Sequence, residues 1–186
     1  MAEIVLETPR LWLRPFRDSD AAEVYAYARD PRVGPIAGWQ PHKSQEESRE
    51  IIHTVFSAPG VFAMELKETG AVIGAVGFVG NHPAGVFPDC PDDEVGYALS
   101  PVYWGMGLMP EAVNAVLEYG FIQIGMKRIW CGHYAGNWRS RRVMEKCGFH
   151  YQFSKTEFVQ LMEETRQSYF YVLTEETWRE RLSGTL

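Results

Sequence analysis

Residues 92–109 read Asp92-Asp93-Glu94-Val95-Gly96-Tyr97-Ala98-Leu99-Ser100-Pro101-Val102-Tyr103-Trp104-Gly105-Met106-Gly107-Leu108-Met109, and Pro110-Glu111-Ala112 then opens an apolar-striped run to Phe121. This order predicts strand, glycine-rich loop, helix. Val95, Tyr97 and Leu99 alternate with Glu94, Gly96 and Ala98, which is the period of a strand. Gly105 and Gly107 carry no side chain to block a ligand, so successive backbone N–H groups can converge on a phosphate where a helix begins. The helix adds its unpaired first-turn donors and the positive end of its dipole. A diphosphate fits that arrangement. The dinucleotide-binding fingerprint does not, because Pro110 stands where a third small residue is required. A nucleotide-triphosphate loop is excluded as well, since no Gly-Lys-Ser/Thr follows. For this stretch alone, the alternative is a plain glycine turn joining strand to helix.

Working outward, the chain next carries Arg128-Ile129-Trp130-Cys131-Gly132-His133, and then Asn137-Trp138-Arg139-Ser140 leading to Glu145-Lys146-Cys147-Gly148-Phe149. Tyr103-Trp104-Gly105-Met106-Gly107-Leu108-Met109-Pro110-Glu111-Ala112, followed by Asn137-x-x-Ser140 and Glu145 to Phe149, resembles the GCN5-related N-acetyltransferase (GNAT) family. The N-terminal Leu6-Glu7-Thr8-Pro9-Arg10-Leu11-Trp12-Leu13-Arg14-Pro15-Phe16, with Asp20, resembles the RimJ/RimL branch, which acetylates N-termini of ribosomal proteins. The resemblance spans nearly the whole chain and implies the α/β (α+β) GNAT fold. That fold is a mixed, mostly antiparallel seven-stranded sheet with helices on both faces, splayed between its fourth and fifth strands where acetyl-CoA inserts. The resemblance further implies that Trp104, Gly105, Met106, Gly107, Leu108 and Met109 take the pyrophosphate through their backbone. Leu99 and Ser100 would pair their main chain with the pantetheine arm, and Asn137 would hold the arm's far side. Members of the family often begin this loop with Gln or Arg and place Lys between the glycines. Here those places hold Tyr103 or Trp104 and Met106, so phosphate affinity rests on backbone donors and on Arg or Lys from elsewhere. Arg142 and Lys146 are candidates for the 3′-phosphate of CoA; a solvated basic face is the alternative.

A length of 186 residues allows one domain, 1–186, with a core of its own. With 46% apolar and 23% charged residues the chain reads as globular. Its net charge of −6 argues against nucleic acid as a partner and suits a cationic acceptor such as an amine. No 18-residue apolar run and no signal pattern are present, so the expected place is the cytoplasm, without a membrane partner. Cys90, Cys131 and Cys147 lack metal-ligand spacing, and no metal is expected. Cys131 and Cys147 read as small core residues. Monomer and homodimer both remain open.

In chain order, a first strand is expected over 11–14. A helix capped by Asp18 or Ser19 follows and stops before Asp30-Pro31. Gly34, Pro35, Gly38 and Pro41 then predict an irregular loop, in which Trp39 either stacks on substrate or covers the core. Ser44-x-x-Glu47 is a capping box opening a helix with Ile51, Ile52, Val55 and Phe56 on its buried stripe. A hairpin is expected over 62–66 and 72–79, its second strand central because it is apolar on both faces. The long loop 80–93 is expected to border the acceptor pocket. A second cofactor-side helix spans 137–147, an antiparallel pair 149–153 and 166–173 closes the sheet, and 175–182 forms a terminal helix.

Moving an acetyl group from a thioester to an amine requires a neutral amine, a stabilised oxyanion and a stabilised or protonated leaving thiolate. An α-amino group, with pKa near 8, needs less help than a lysine near 10.4. Glu94 is the candidate general base, because Gly96 and Ala98 on its strand face leave room for an acceptor; the alternative is an exposed strand-end carboxylate. In the resemblance Ser140 is the hydroxyl facing the thiolate; its other possible role is a helix N-cap, and Tyr134 is a possible substitute. An N–H near Leu99 would meet the oxyanion. Trp39, Glu94 and His133 are the candidate acceptor-binding residues. The expected function is N-acetyl transfer from acetyl-CoA, foremost to a protein N-terminal α-amine. The alternatives are a polyamine, antibiotic or amino-acid amine, or a non-catalytic acyl-CoA sensor.

Overall fold

The computed structural model describes residues 3–87 and 89–184. Strand β1 (Leu6–Glu7) turns back on β2 (Leu11–Arg14). A 3-10 turn, Asp18–Asp20, then leads into α1 (Ala21–Ala28), α2 (Gly34–Ala37) and α3 (Gln45–Thr54). The chain re-enters the sheet as β3 (Val61–Leu66), β4 (Val72–Phe78) and β5 (Asp92–Leu99). Helix α4 (Leu108–Glu118) carries the crossover and widens into one π-helical stretch, Tyr119–Ile124, before Gly125. After it come β6 (Arg128–Tyr134), α5 (Trp138–Cys147), β7 (His150–Val159), β8 (Glu164–Thr174) and α6 (Glu175–Ser183).

The strands lie in the order β1-β2-β3-β4-β5-β6-β8-β7. Every neighbouring pair is antiparallel except β5 and β6, which are parallel and therefore need the long crossover that α4 supplies. The class expected from sequence holds, with one correction: among the described residues the sheet has eight strands rather than seven. The additional strand is β1, two residues long and too short to show a period. It also moves the splay, expected between strands four and five, to the junction of β5 and β6.

Both faces of the sheet are covered. Leu108, Met109, Ala112, Val113, Val116 and Leu117 of α4 pack with Met144 and Cys147 of α5 in the larger core, together with Leu11, Leu13, Val95 and Leu99 from the strands. On the opposite face, Ala21, Val24, Tyr27 and Ala28 of α1 pack with Ile52 of α3. Between these layers β4 is buried along its full length, as a strand apolar on both sides requires.

Three local expectations change. The 31–43 stretch contains α2, a single turn that tolerates Pro35 in its first positions and stops at Gly38 with φ 93°. On α3, Ser44 accepts from Glu47 N as a cap should, but Glu47 Oε2 returns to Lys43 N instead of Ser44 N. Only Ile52 of the expected stripe is buried, while Val55 is 53% exposed, because Ile51, Val55 and Phe56 line the cleft described below.

The α1 layer is tied to the sheet by ions. Arg14, 8% exposed in its side chain, forms a bidentate pair with Asp20 at 2.8 and 3.0 Å, and its Nε reaches Glu65. The hydrogen bond to Asp20, opposed by burial and helped by Glu65, raises the Arg14 pKa further above its usual range. Removing one partner of a buried pair leaves an uncompensated charge, so Asp20→Ala is expected to destabilise the fold by ~3–5 kcal/mol. Urea unfolding checks this, and a loss below ~1 kcal/mol would show that Arg14 finds solvent instead.

Candidate active site

Pairing between β5 and β6 runs through Asp92–Arg128 and Asp93–Ile129 to Glu94–Trp130 and stops there. Beyond that point β5 stays on β4 through Leu99, and β6 stays on β8 through Tyr134. The sheet therefore opens as a V whose apex is Glu94. The closed end is pinned by Asp92, whose carboxylate accepts from Arg128 Nε, Trp130 Nε1 and His82 Nδ1, each at 2.8 Å. Burial works to raise the Asp92 pKa, and these hydrogen bonds together outweigh it and hold the carboxylate below its usual range.

The open limbs present unused backbone. Val79 N donates to Glu94 O and Ser100 N to Ile73 O, so the even-numbered residues of β5 direct their backbone groups to β4. In antiparallel pairing the alternate residues point the other way; Val95 N–H is used by the last parallel bridge, Glu94–Trp130, and the N–H groups of Tyr97 and Leu99 lie beyond it in the gap. Leu99 O is already taken by Trp104 Nε1 at 2.9 Å. Ser100 falls outside the row, since its N–H is committed to β4. The cleft along this gap has a volume of about 2090 Å³, well beyond the ~300–1,000 Å³ of an ordinary small-ligand pocket.

Residues 104–109 close one end of the cleft. Gly105 and Gly107 sit at φ 80° and 77°, a left-handed backbone that side chains rarely adopt, and a Cβ added to either would meet no atom closer than 3.5 Å. The constraint there is conformational rather than steric. Among the described residues, no acceptor takes the N–H groups of Gly105, Met106 or Gly107, and Leu108 and Met109 add the free donors of the first turn of α4. The arrangement fits a diphosphate. The loop is held from behind by a clamp that sequence reasoning missed. Arg10 Nη1 donates to Met106 O at 2.9 Å, while Arg10 Nε and N and Thr8 Oγ1 all donate to Glu111. Glu111 is about a hundred residues from Arg10, and no local pattern links the two. Further cations flank the cleft. Arg139 lies 4.4 Å from the Trp104 ring centroid and Arg32 5.8 Å from it, and Arg142 and Lys146 line the rim.

At the apex, the Glu94 carboxylate lies over Gly132, where a Cβ would come within 2.8 Å of Oε1, and Asn81 Nδ2 donates to Oε2. Burial, partly offset by Asn81 and assisted by repulsion from Glu157, raises the Glu94 pKa to about 6. Asn81 also donates from its backbone to Asp93, so of the loop expected to border the acceptor pocket it is the ends, Gly80, Asn81 and Asp93, that line the cleft. Nothing local in sequence marks Asn81 as a partner of Glu94.

Asn137 and Ser140 meet at the start of α5, but with roles redistributed. Asn137 is the N-cap, its Oδ1 accepting from Ser140 N at 3.2 Å, and its Nδ2 reaches Ile36 O at 3.4 Å. Ser140 is therefore not the cap, and its Oγ lies 2.9 Å from Tyr97 Oη. Tyr134 shares the Glu94 face, since Glu94 pairs with Trp130 and strand residues alternate. Its ring packs against Gly38 and under Arg166. His133 also lines the cleft. The same alternation turns it to the opposite face, where it stacks on Tyr169 at 5.2 Å and its Nδ1 donates to Tyr134 O. Burial lowers its pKa, and nothing brings its ring to the Glu94 side. Trp39 covers the α1 core, one of its two expected roles, and also lines the cleft. Cys131 and Cys147 are buried, and burial pushes the Cys147 thiol up to about 12.

The acetyltransferase (GNAT) domain family matches residues 10–150. YoaA of Bacillus subtilis (strain 168), described as an uncharacterized N-acetyltransferase, is 30% identical over 151 residues, covering 78% of this chain and 82% of YoaA. Among solved structures, a GNAT-family acetyltransferase from Bacillus anthracis superposes with TM-score 0.79 at 26% identity, covering 93% of this chain and 99% of its own. The ribosomal-protein-S5-alanine acetyltransferase from Vibrio fischeri superposes with TM-score 0.71 at 21% identity, covering 94% and 98%.

Proposed function

The chain belongs to the GNAT acetyltransferase domain family, and from that premise we propose that it transfers acetyl from acetyl-CoA directly to a primary amine, foremost the α-amine of a protein N-terminus. The observation that carries this reading is the V in the sheet, with a half-buried carboxylate of raised pKa at its apex and a row of unused N–H groups along one limb.

Acetyl-CoA supplies the activated acyl group as a thioester. In this proposal the N–H groups of residues 105–109 hold the diphosphate, and Arg142 and Lys146 hold the 3′-phosphate. Asn137 fixes the start of α5 against the pantetheine arm. The Leu99 N–H faces the carbonyl oxygen where negative charge grows, the position at which a backbone donor is worth most. Glu94 takes a proton from the acceptor amine, directly or through water. Ser140 donates a hydrogen bond to the departing sulfur; Tyr134, on the acceptor face, orients the amine together with Trp39.

A base with pKa about 6 suits an acceptor that is itself partly neutral near pH 8. A lysine near 10.4 would require a stronger base, so the α-amine is favoured. The fold shared with a ribosomal-protein-alanine acetyltransferase supports the same acceptor class. The test is incubation with acetyl-CoA and a library of peptides and small amines, read by mass spectrometry. Acetylation at peptide α-amines, reduced in Ser140→Ala by about tenfold, is the expected result. Acetylation confined to polyamines or other small amines would overturn the acceptor, and CoA binding without any product would overturn the activity proposed for this site.

A further inference from the structure

Ser140 is not alone at the thiolate end of the gap. Tyr97 leaves β5 on the face opposite Glu94, and its ring packs against the larger core. From there its hydroxyl crosses beneath the point where β5 and β6 part and reaches α5, lying 2.9 Å from Ser140 Oγ and 3.2 Å from Ser140 O. Cys131 on β6 approaches the same oxygen, its Sγ 3.8 Å away and donating. One phenol thus joins both limbs of the V to the helix that carries the hydroxyl.

The donors and acceptors around the phenol give it a direction. With the thiol of Cys131 supplying a proton from one side, Tyr97 offers its own proton to the other. Ser140 O accepts from the phenol at 3.2 Å on its second lone pair, and Oγ is the shorter contact at 2.9 Å, where either hydroxyl can be the donor. A serine oxygen that accepts from Tyr97 has its own proton directed elsewhere, and the gap is the open side.

We propose that Tyr97 is a positioning residue for acetyl transfer: by donating to Ser140 Oγ it fixes the Ser140 hydroxyl as a donor toward the leaving sulfur. This rests on the role proposed for Ser140 in the transfer. No proton leaves Tyr97 during turnover; burial raises its pKa far above the working range, so it remains a donor throughout.

The test is a double-mutant cycle of Tyr97→Phe and Ser140→Ala, reading kcat and the KM for acetyl-CoA separately. The expected result is a kcat about tenfold lower in Tyr97→Phe, the worth of one hydrogen bond, with KM within about twofold. In the Ser140→Ala background, Tyr97→Phe should then change kcat by less than about twofold. Equal losses in both backgrounds, a change confined to KM, or an unchanged kcat would each overturn the proposal while leaving Ser140 in place. If Ser140→Ala alone leaves kcat unchanged, the role of Ser140 falls and this proposal falls with it. Should Tyr97→Phe fail to fold, a wild-type complex with CoA decides instead. Ser140 Oγ within hydrogen-bond distance of both sulfur and Tyr97 Oη supports the proposal, and sulfur facing Tyr97 Oη directly overturns it.

Discussion

Glu94→Gln is expected to lower kcat/KM for an α-amine acceptor by about 10²-fold, the lower range of what a positioned general base contributes. The substitution keeps the shape of the side chain and its contact with Asn81 but removes the proton acceptor. In the wild type, kcat/KM should fall tenfold per pH unit below about 8, where the amine becomes protonated, and about hundredfold per unit below about 6, where Glu94 is protonated as well. In Glu94→Gln only the amine limb should survive.

The same carboxylate carries a stability signature of opposite sign. Its folded-state pKa of about 6 lies above the ordinary 4.5, so the protonated form is the one the fold favours. Its stabilising contribution is complete below pH 4.5 and is lost as pH rises through 6. At pH 8 the charged form costs up to about 2 kcal/mol, because a tenfold change in proton affinity between the folded and unfolded chain corresponds to about 1.36 kcal/mol. Glu94→Gln should therefore raise Tm at pH 8 and leave it nearly unchanged at pH 4.5, while activity is lost. A variant that is slower and also less stable at pH 8 would place Glu94 in a structural ion pair instead of at a base position.

The second large effect is expected at Gly107. Its φ of 77° and its place at the start of α4 make valine the least tolerable replacement, costing about 1–2 kcal/mol in the backbone alone. Relief of that strain turns the local N–H groups away from the cleft. Losing two charge-assisted hydrogen bonds, each about 1.5–3 kcal/mol, weakens CoA by 10²-fold or more in calorimetry. Met106→Ala provides the contrast. Its side chain is 55% exposed, and the proposed phosphate contact uses only its backbone, so affinity should change less than about threefold. A larger effect at Met106 than at Gly107 would move diphosphate recognition from the backbone to side chains.

How much of this was legible in sequence depends on the range of the interaction. Residues 92–121 were readable because period-two alternation, left-handed glycines and a helical stripe follow one another without a gap. The Ser44 cap was readable for the same reason. Strand β1 and helix α2 were not, because two strand residues and a single helical turn are shorter than the periods that would identify them. At the site, Glu94 and Ser140 fell on the V through motif order. Asn81, the Arg10–Glu111 clamp and the Tyr97–Ser140 bridge were missed because each joins separate segments that only the sheet order brings together. The face that His133 takes was not legible for a related reason. Alternation divides Ile129, Cys131 and His133 from Trp130, Gly132 and Tyr134, but only the register that pairs Glu94 with Trp130 says which set faces the acceptor.

A crystal structure of the protein with CoA tests the central claim most directly. The account predicts the pantetheine arm lying between β5 and β6 along the open limb of β5, with the diphosphate on the N–H groups of residues 105–109. CoA bound outside the V, or a diphosphate contacted by side chains while those N–H groups face water, would contradict it.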